Sequence, residues 1–216
     1  KDPYITYNDN YIESVWWAVK TIYDKGLIYK GYKIVPYCPR CGTALSSHEV
    51  AQGYKDVKEV SVYAKFRLKG ESNRYFLAWT TTPWTLPSNV ALCMNAKEDY
   101  AEIAIGEERY ILADALVSKL FEEGSYQVLS MKKGKDYEYA EYEPLFNYET
   151  GAKKKQHYVV NDDYVTLTDG TGIVHIAPAF GEDDGRVGKK YDLPFVQMVN
   201  ERGKFIPEAT DLEGMF

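Results

Sequence analysis

Cysteine and histidine are scarce, three of each in 216 residues, and basic side chains are outnumbered by acidic ones, 26 to 32. Three unevenly spaced cysteines cannot build the disulfide framework of a small secreted domain, so a reducing, cytoplasmic setting is expected. The net charge of -6, with pI near 5.2, excludes a protein that grips long nucleic acid through a basic face, while a short single-stranded end remains compatible. The lysine runs at 132–133 and 153–155 can touch a few phosphates or can simply be solvated turns. No apolar run approaches a membrane span and no basic-then-apolar leader opens the chain, so a soluble protein with no membrane partner is expected. Because the first residue is Lys1, the chain is expected to be a segment of a longer polypeptide.

What is present centres on residues 75–93, YFLAWTTTPWTLPSNVALC. The apolar run from Tyr75 to Trp79 reads as a buried strand that ends in three hydroxyls, Thr80, Thr81 and Thr82. Pro83 and Pro87 bar helix, so the segment between them is expected to be a stiff loop presenting Thr82, Trp84 and Thr85, with strand character resuming at residues 89–93. Hydroxyls fixed at a strand end can hold a water or a ribose, since each offers one donor and two acceptor sites. They can equally be ordinary strand and turn threonines.

Residues 8–26 carry the clearest helix signal. Asn8 or Asp9 can cap it, Ile12, Val15, Trp16, Val19 and Ile22 form one apolar stripe, and Gly26 suits the left-handed stop. Trp17 lies off the stripe, as either a second contact surface or a surface aromatic. From residue 55 the pattern turns to strands. Val60, Val62, Ala64, Phe66 and Leu68 alternate with polar or amphipathic neighbours, and further strands are expected at 100–105, 109–112, 126–131, 156–161, 164–167 and 173–177. Helices are expected at 114–123 and from Glu182 to Tyr191. Many short strands with few helices imply a β-rich α+β fold: a distorted, nearly closed antiparallel β-barrel with a few peripheral helices, since closure removes exposed edges. The domain division expected is 1–55, a helix followed by a Cys-x-x-Cys segment, and 56–216, the barrel.

Two further stretches carry chemistry. In YCPRCG, Cys38 and Cys41 can present two thiolates to one metal from a tight turn, which is half of the four-ligand set that structural zinc takes. Cys93 reads as a core thiol, His48 has no partner at metal spacing, and a redox dithiol is the rival reading of the pair. In DGTGIVHIAPAFGEDDGR, His175 interrupts an apolar strand, and Glu182, Asp183 and Asp184 open a helix. Acidic residues suit a first helical turn on electrostatic grounds alone, and a lone strand histidine is often a core residue with a partner.

TTTPWTLPSN resembles the signature of the editing domain inserted into isoleucyl-tRNA synthetases, whereas valyl and leucyl relatives carry a different hydroxyl-rich loop containing Arg-Pro. GTGIVHIAP followed by GEDD resembles the second editing motif of that family, and with YCPRCG the likeness covers nearly the whole chain in the expected order. One position departs: Gly185 stands where relatives often carry an aromatic, which is expected to loosen the first helical turn.

The resemblance implies an aminoacyl-tRNA deacylase that removes valine wrongly esterified to isoleucine tRNA, with valyl-adenylate as a second substrate. Asp184 would bind the α-ammonium group and His175 would limit the side-chain pocket. Thr81, Thr82 and Thr85 would hold the attacking water and terminal adenosine, with Trp79, Thr80 and Trp84 completing the substrate-binding set. No cofactor is implied for editing. Zinc at Cys38 and Cys41 would be closed by a second Cys pair elsewhere in the full-length, ATP-using protein. The implied partners are the tRNA 3′ end and the rest of the synthetase, with the chain a monomer. Rival readings are a non-catalytic or tRNA-end-binding barrel, a zinc-ribbon nucleic-acid module, and a valyl-type editor acting on threonine esters.

Overall fold

Strand β3 shows how the second half of the chain is built. The computed structural model describes residues 3–31 and 33–216, and the chain divides into two compact units, Lys1–Lys33 and Ile34–Phe216. In the second unit a short hairpin, β1 (Tyr37–Cys38) and β2 (Thr43–Ala44), precedes helix α2 (Ser47–Gln52), and β3 (Val62–Arg67) follows. Its alternation works as expected: Ala64 and Phe66 are buried while Tyr63, Lys65 and Arg67 are exposed. Val60, counted in the same pattern, lies outside the strand at 81% exposure.

Helix α1 (Asp9–Asp24), of 16 residues, lies in the first unit. Asn8 has the extended cap backbone but no side-chain cap bond, so the start is held by backbone bonds from Tyr11 and Ile12 to its carbonyl. Gly26 at φ +70° ends the helix, its N–H on Tyr23 O and that of Leu27 on Ile22 O, a stop that places the chain where side chains are disfavoured. The expected stripe of Ile12, Val15, Trp16, Val19 and Ile22 is at least 40% exposed at every position. Helix α2 was not signalled by apolar periodicity. Its Ser46–Glu49 capping box, in which Ser46 Oγ accepts the Glu49 N–H and Glu49 accepts the Ser46 N–H, was the available sign.

The second unit contains two larger sheets. The first has the order β3, β4 (Arg74–Thr80), β7 (Glu108–Ala113), β6 (Asp99–Ile105), β8 (Gln127–Lys133). The second has the order β10 (Ile173–Ile176), β5 (Ala91–Met94), β9 (Tyr158–Asn161). The expectation of a nearly closed antiparallel barrel is therefore corrected: β4 pairs with β7 and β5 with β9 in parallel, and among the described residues no ladder closes the sheets on each other. A partial link exists at one corner, where Glu141 bridges Tyr158 of β9 and Tyr142 bridges Leu68 beyond β3. Burial replaces closure as the protection for the central strands. Phe66, Phe76, Ala78, Leu92, Met94 and Ile173 fill the layer between the sheets. The outer face of the first sheet is covered by Leu116-bearing helix α3 (Asp114–Leu120) through Val117, Leu77 and Leu112, and that of the second by α4 (Glu182–Lys190) and the last segment through Cys93, Ile176, Val187 and Phe205. β5 is thus buried on both faces, which explains its unbroken apolar run.

Two further expectations change. Residues 83–88 form a 3-10 helix, Pro83–Ser88, rather than the stiff non-helical loop expected: Pro83 stands at the first helical position, where no donor is needed, and the Thr85 and Asn89 N–H groups donate to the Thr82 and Leu86 carbonyls at its two ends. Residues 164–167 form no strand. Val165 packs beneath the second sheet and Leu167 against the core between the sheets, and the Val165 carbonyl is taken by the Asn95 side chain at 3.1 Å instead of a ladder. Helix α3 also stops at Leu120, before Phe121 turns extended.

Candidate functional site

Strand β4 delivers Thr80 to the end of the inter-sheet layer, where it is 7% exposed. Its Oγ1 accepts the Thr82 N–H at 3.1 Å and lies 3.4 Å from Thr82 Oγ1, which folds the chain back into the 3-10 turn. There the Thr82 carbonyl accepts both the amide of Thr85 at 3.0 Å and its hydroxyl at 2.8 Å. Thr81 and Thr82 remain exposed, whereas Thr85 is buried. Period-two alternation sets Trp79 on the face opposite to Thr80, its indole covered by Gly170, so the structure does not gather it with the others.

His175 comes from the other sheet. Its strand pairs antiparallel with β5, His175 opposite Leu92, and alternation with Ile173 aims it into the layer between the sheets. Its Nε2 lies 2.9 Å from Thr85 Oγ1, joining two motifs 90 residues apart. Burial pushes the imidazole pKa down to about 4, so the ring is neutral at pH 7.

Ile176 hands the chain to Ala177 and Pro178, and α4 then begins with its three acidic residues. Asp184 Oδ2 accepts the Ala177 N–H at 3.0 Å, pinning the helix entrance to the strand end. Gly181 leaves the room this requires, since a Cβ there would stand 3.0 Å from the Asp184 carboxyl carbon. Burial raises the Asp184 pKa to about 6 despite the hydrogen bond from Ala177, so the group is mostly ionised at neutral pH but loses its charge in mild acid. Asp183 instead pairs with Arg186 at 3.0 Å, and Glu182 is exposed. Although Gly185 lacks a side chain, its N–H closes the first turn on Gly181 O at 2.9 Å.

A second bridge between the two motifs is aromatic. Trp84 meets Phe180 edge to face at 5.1 Å, and both line a groove of about 420 Å³ with Tyr37, Pro39, Val199 and Phe205. Phe180 and the Ala177 amide were missed as site groups. The apolar residue isolated between Pro178 and Gly181 was the signal for the first, whereas a backbone donor leaves none.

Cys38 and Cys41 sit on the β1–β2 hairpin, whose turn closes through the Gly42 N–H on Cys38 O at 2.8 Å. The Cys41 amide donates to Cys38 Sγ at 3.4 Å, and this bond lowers the Cys38 pKa, while the Cys38 side chain raises that of Cys41. Among the described residues no group of three or more potential ligands surrounds a metal position. Cys93 is fully buried, its thiol pushed up to about 12 by burial, which is the behaviour of a core residue.

The family model for class I tRNA synthetases (I, L, M and V) matches residues 1–208. The isoleucine–tRNA ligase of Clostridium acetobutylicum is 61% identical over 216 residues, which is 100% of this chain and 21% of that protein. The isoleucine–tRNA ligase of Picrophilus torridus is 50% identical over 216 residues, again 100% of this chain and 21% of the relative. Among solved structures, the P. knowlesi cytosolic leucyl-tRNA synthetase editing domain aligns at TM-score 0.46 and 15% identity, over 62% of this chain and 66% of that one. The chain spans about a fifth of the length of these curated relatives. With nearly all of its residues inside the family model, the chain belongs to the class I tRNA synthetases.

Proposed function

We propose that this segment edits: it hydrolyses valine wrongly esterified to the 3′ end of isoleucine tRNA, and clears valyl-adenylate in the same site. The observation that carries the reading is the 2.9 Å contact between Thr85 and His175, which joins the hydroxyl turn to the histidine strand in one place. An enzyme that activates isoleucine gains only about 1–3 kcal/mol against valine from one methylene, a figure for which isoleucine activation is itself the reference case. A second, smaller pocket supplies the missing fidelity.

An aminoacyl ester needs a placed water more than a strong nucleophile, and the exposed hydroxyls of Thr81 and Thr82 would hold that water and the ribose. Asp184, mostly ionised at neutral pH, would take the α-ammonium through a charge-assisted bond of about 1.5–3 kcal/mol. His175, uncharged and packed, would be the wall that rejects isoleucine, since forcing an extra methylene into a filled site costs about 1–3 kcal/mol. Trp84, half exposed beside Phe180, would border the entrance, with Thr80 as a support behind it.

The partners in this reading are the aminoacylated tRNA end and the rest of the synthetase, and editing requires no cofactor. Cys38 and Cys41, two thiols on one tight hairpin, would supply one half of a structural zinc site. The other two donors would come from elsewhere in the longer protein, and the metal would brace the hairpin without entering the hydrolysis. The test is deacylation of valyl- and isoleucyl-tRNA by the 216-residue chain and by full-length enzyme. D184A should abolish valyl-ester hydrolysis and H175A should admit the isoleucyl ester. Failure of both wild-type proteins to release valine would leave a non-catalytic, tRNA-end-binding module.

A further inference from the structure

Helix α4 carries Asp184, yet little in its own sequence holds it in place. It has nine residues, two of them glycine, no side-chain cap at Gly181, and only Val187 and Gly188 buried. A helix this short is marginal by itself, and each interior glycine costs about 1 kcal/mol relative to alanine. What fixes it is a carboxylate on the neighbouring sheet. Asp162 follows β9 directly, and its N–H donates to Met94 O at 3.1 Å, tying its backbone to the end of β5. Its side chain, 8% exposed, accepts both arms of the Arg186 guanidinium, Nη2 on Oδ1 at 2.8 Å and Nη1 on Oδ2 at 3.0 Å, together with Lys190 Nζ at 3.2 Å and the Tyr164 N–H at 3.3 Å. Arg186 and Lys190 stand one helical turn apart on one face, so a single buried anion grips two successive turns. Lys190 also donates to Asn161 O at 2.9 Å, and the Tyr191 hydroxyl accepts the Asn161 N–H at 3.1 Å. The hydrogen bonds from Arg186 hold the Asp162 carboxyl down to about 2, so the clamp stays charged in mild acid.

At roughly 100° per residue, Asp184 lies on the far flank of α4 from Arg186, with the buried Val187 between them. Turning the helix about its axis would therefore swing Asp184 away from the Ala177 N–H that it now accepts at 3.0 Å. We propose that Asp162 is a positioning residue for the hydrolysis: by clamping Arg186 and Lys190 it sets the rotation of α4 and so aims the Asp184 carboxylate at the substrate ammonium. It touches neither the ester nor the water. Its part is geometric, and a displacement of about 1 Å near a reacting centre can cost about a hundredfold in rate.

The catalytic half of this inference rests on the editing reading, whereas the aim of Asp184 does not, and the experiment separates them. Carbon-13 carboxyl titration of the 216-residue chain reports the surroundings of Asp184, which titrates at about 6 and is faced by Asp183 on its own helix, Tyr164 after β9 and Cys93 on β5. In both D162N and R186Q the released helix should let water reach Asp184, and its pKa should fall toward the ordinary 3.8. Direct electrostatics would instead move the two variants in opposite directions, since one loses an anion and the other a cation, so a fall in both is the mark of a turned helix. In full-length enzyme each variant should lose about a hundredfold in valyl-tRNA hydrolysis, chiefly in kcat, and the double variant should be no worse than either. An Asp184 pKa that is unchanged in both variants, or shifted in opposite directions, overturns the aim; should D162N not fold, R186Q, altered at a half-exposed side chain, decides by the same fall or its absence. A fall in both with valyl-tRNA hydrolysis unimpaired overturns the catalytic half. A fall in both with no ester hydrolysis by wild type supports the aim and overturns the editing reading.

Discussion

Trp84 and Phe180 meet edge to face, their ring centroids 5.1 Å apart and their planes at 82°. One ring belongs to the hydroxyl turn and the other to the connection between β10 and α4, so the contact braces the two stretches from which the site is assembled. Such pairs contribute about 0.5–1.5 kcal/mol beyond the area they bury. A double-mutant cycle with W84L and F180L, read by urea unfolding, should return a coupling energy in that range. Coupling near zero would mean that the turns are held together by Thr85 and His175 without help from the rings.

Asp184 should cost stability in proportion to its charge. Its folded pKa of about 6 lies above the ordinary 3.8, so the native chain binds more protons than the unfolded chain between those values. Near pH 3 both states hold the proton and Asp184 makes no difference; as pH rises through about 6 the burial penalty becomes complete. D184N removes the charge and keeps an oxygen for the Ala177 N–H, so it should be more stable than wild type by about 1–3 kcal/mol near pH 7.5 and equal to it near pH 3. Titration of His175 opposes this trend but is common to both proteins and cancels in the difference. A D184N advantage that persists at pH 3 would show that burial of the charge is not its source.

Gly172, in the GTGIVHIAP stretch, is required by the backbone and by its neighbours at once. Its φ is +72°, and a Cβ would stand 2.4 Å from Ala113 Cβ and 2.9 Å from Leu167 Cδ2. G172A should therefore destabilise by more than about 2 kcal/mol, combining left-handed strain with overpacking. Thermal unfolding decides the matter, and a melting temperature within two degrees of wild type would contradict the close approach.

Tyr142 holds the Asn89 side chain in the core, its hydroxyl donating to Asn89 Oδ1 at 2.6 Å while Asn89 Nδ2 donates to Ala91 O at 2.8 Å. Y142F leaves that amide oxygen buried without a donor and should cost about 1–3 kcal/mol in urea unfolding. A neutral substitution would imply that water replaces the phenol.

Local pattern determined a good deal by itself. The alternation in β3, the apolar run of β5, the Gly26 stop and the acidic first turn of α4 are all set by neighbours along the chain, and the quoted motifs singled out Thr80 to Thr85, His175 and Asp184 through family resemblance. Tertiary structure decided how these pieces combine. Parallel pairing of β4 with β7 and β5 with β9 depends on which strands meet after long connections, and strand sequences carry no label for their partner. The layered arrangement replaced the expected barrel because helices, the last segment and both cores bury the central strands from either side. At the site, composition shows that Thr85 has a proton and His175 two nitrogens. That the two come within 2.9 Å of each other, and how far burial shifts Asp184, are set by distances and exclusion of water that exist only after two sheets pack against each other.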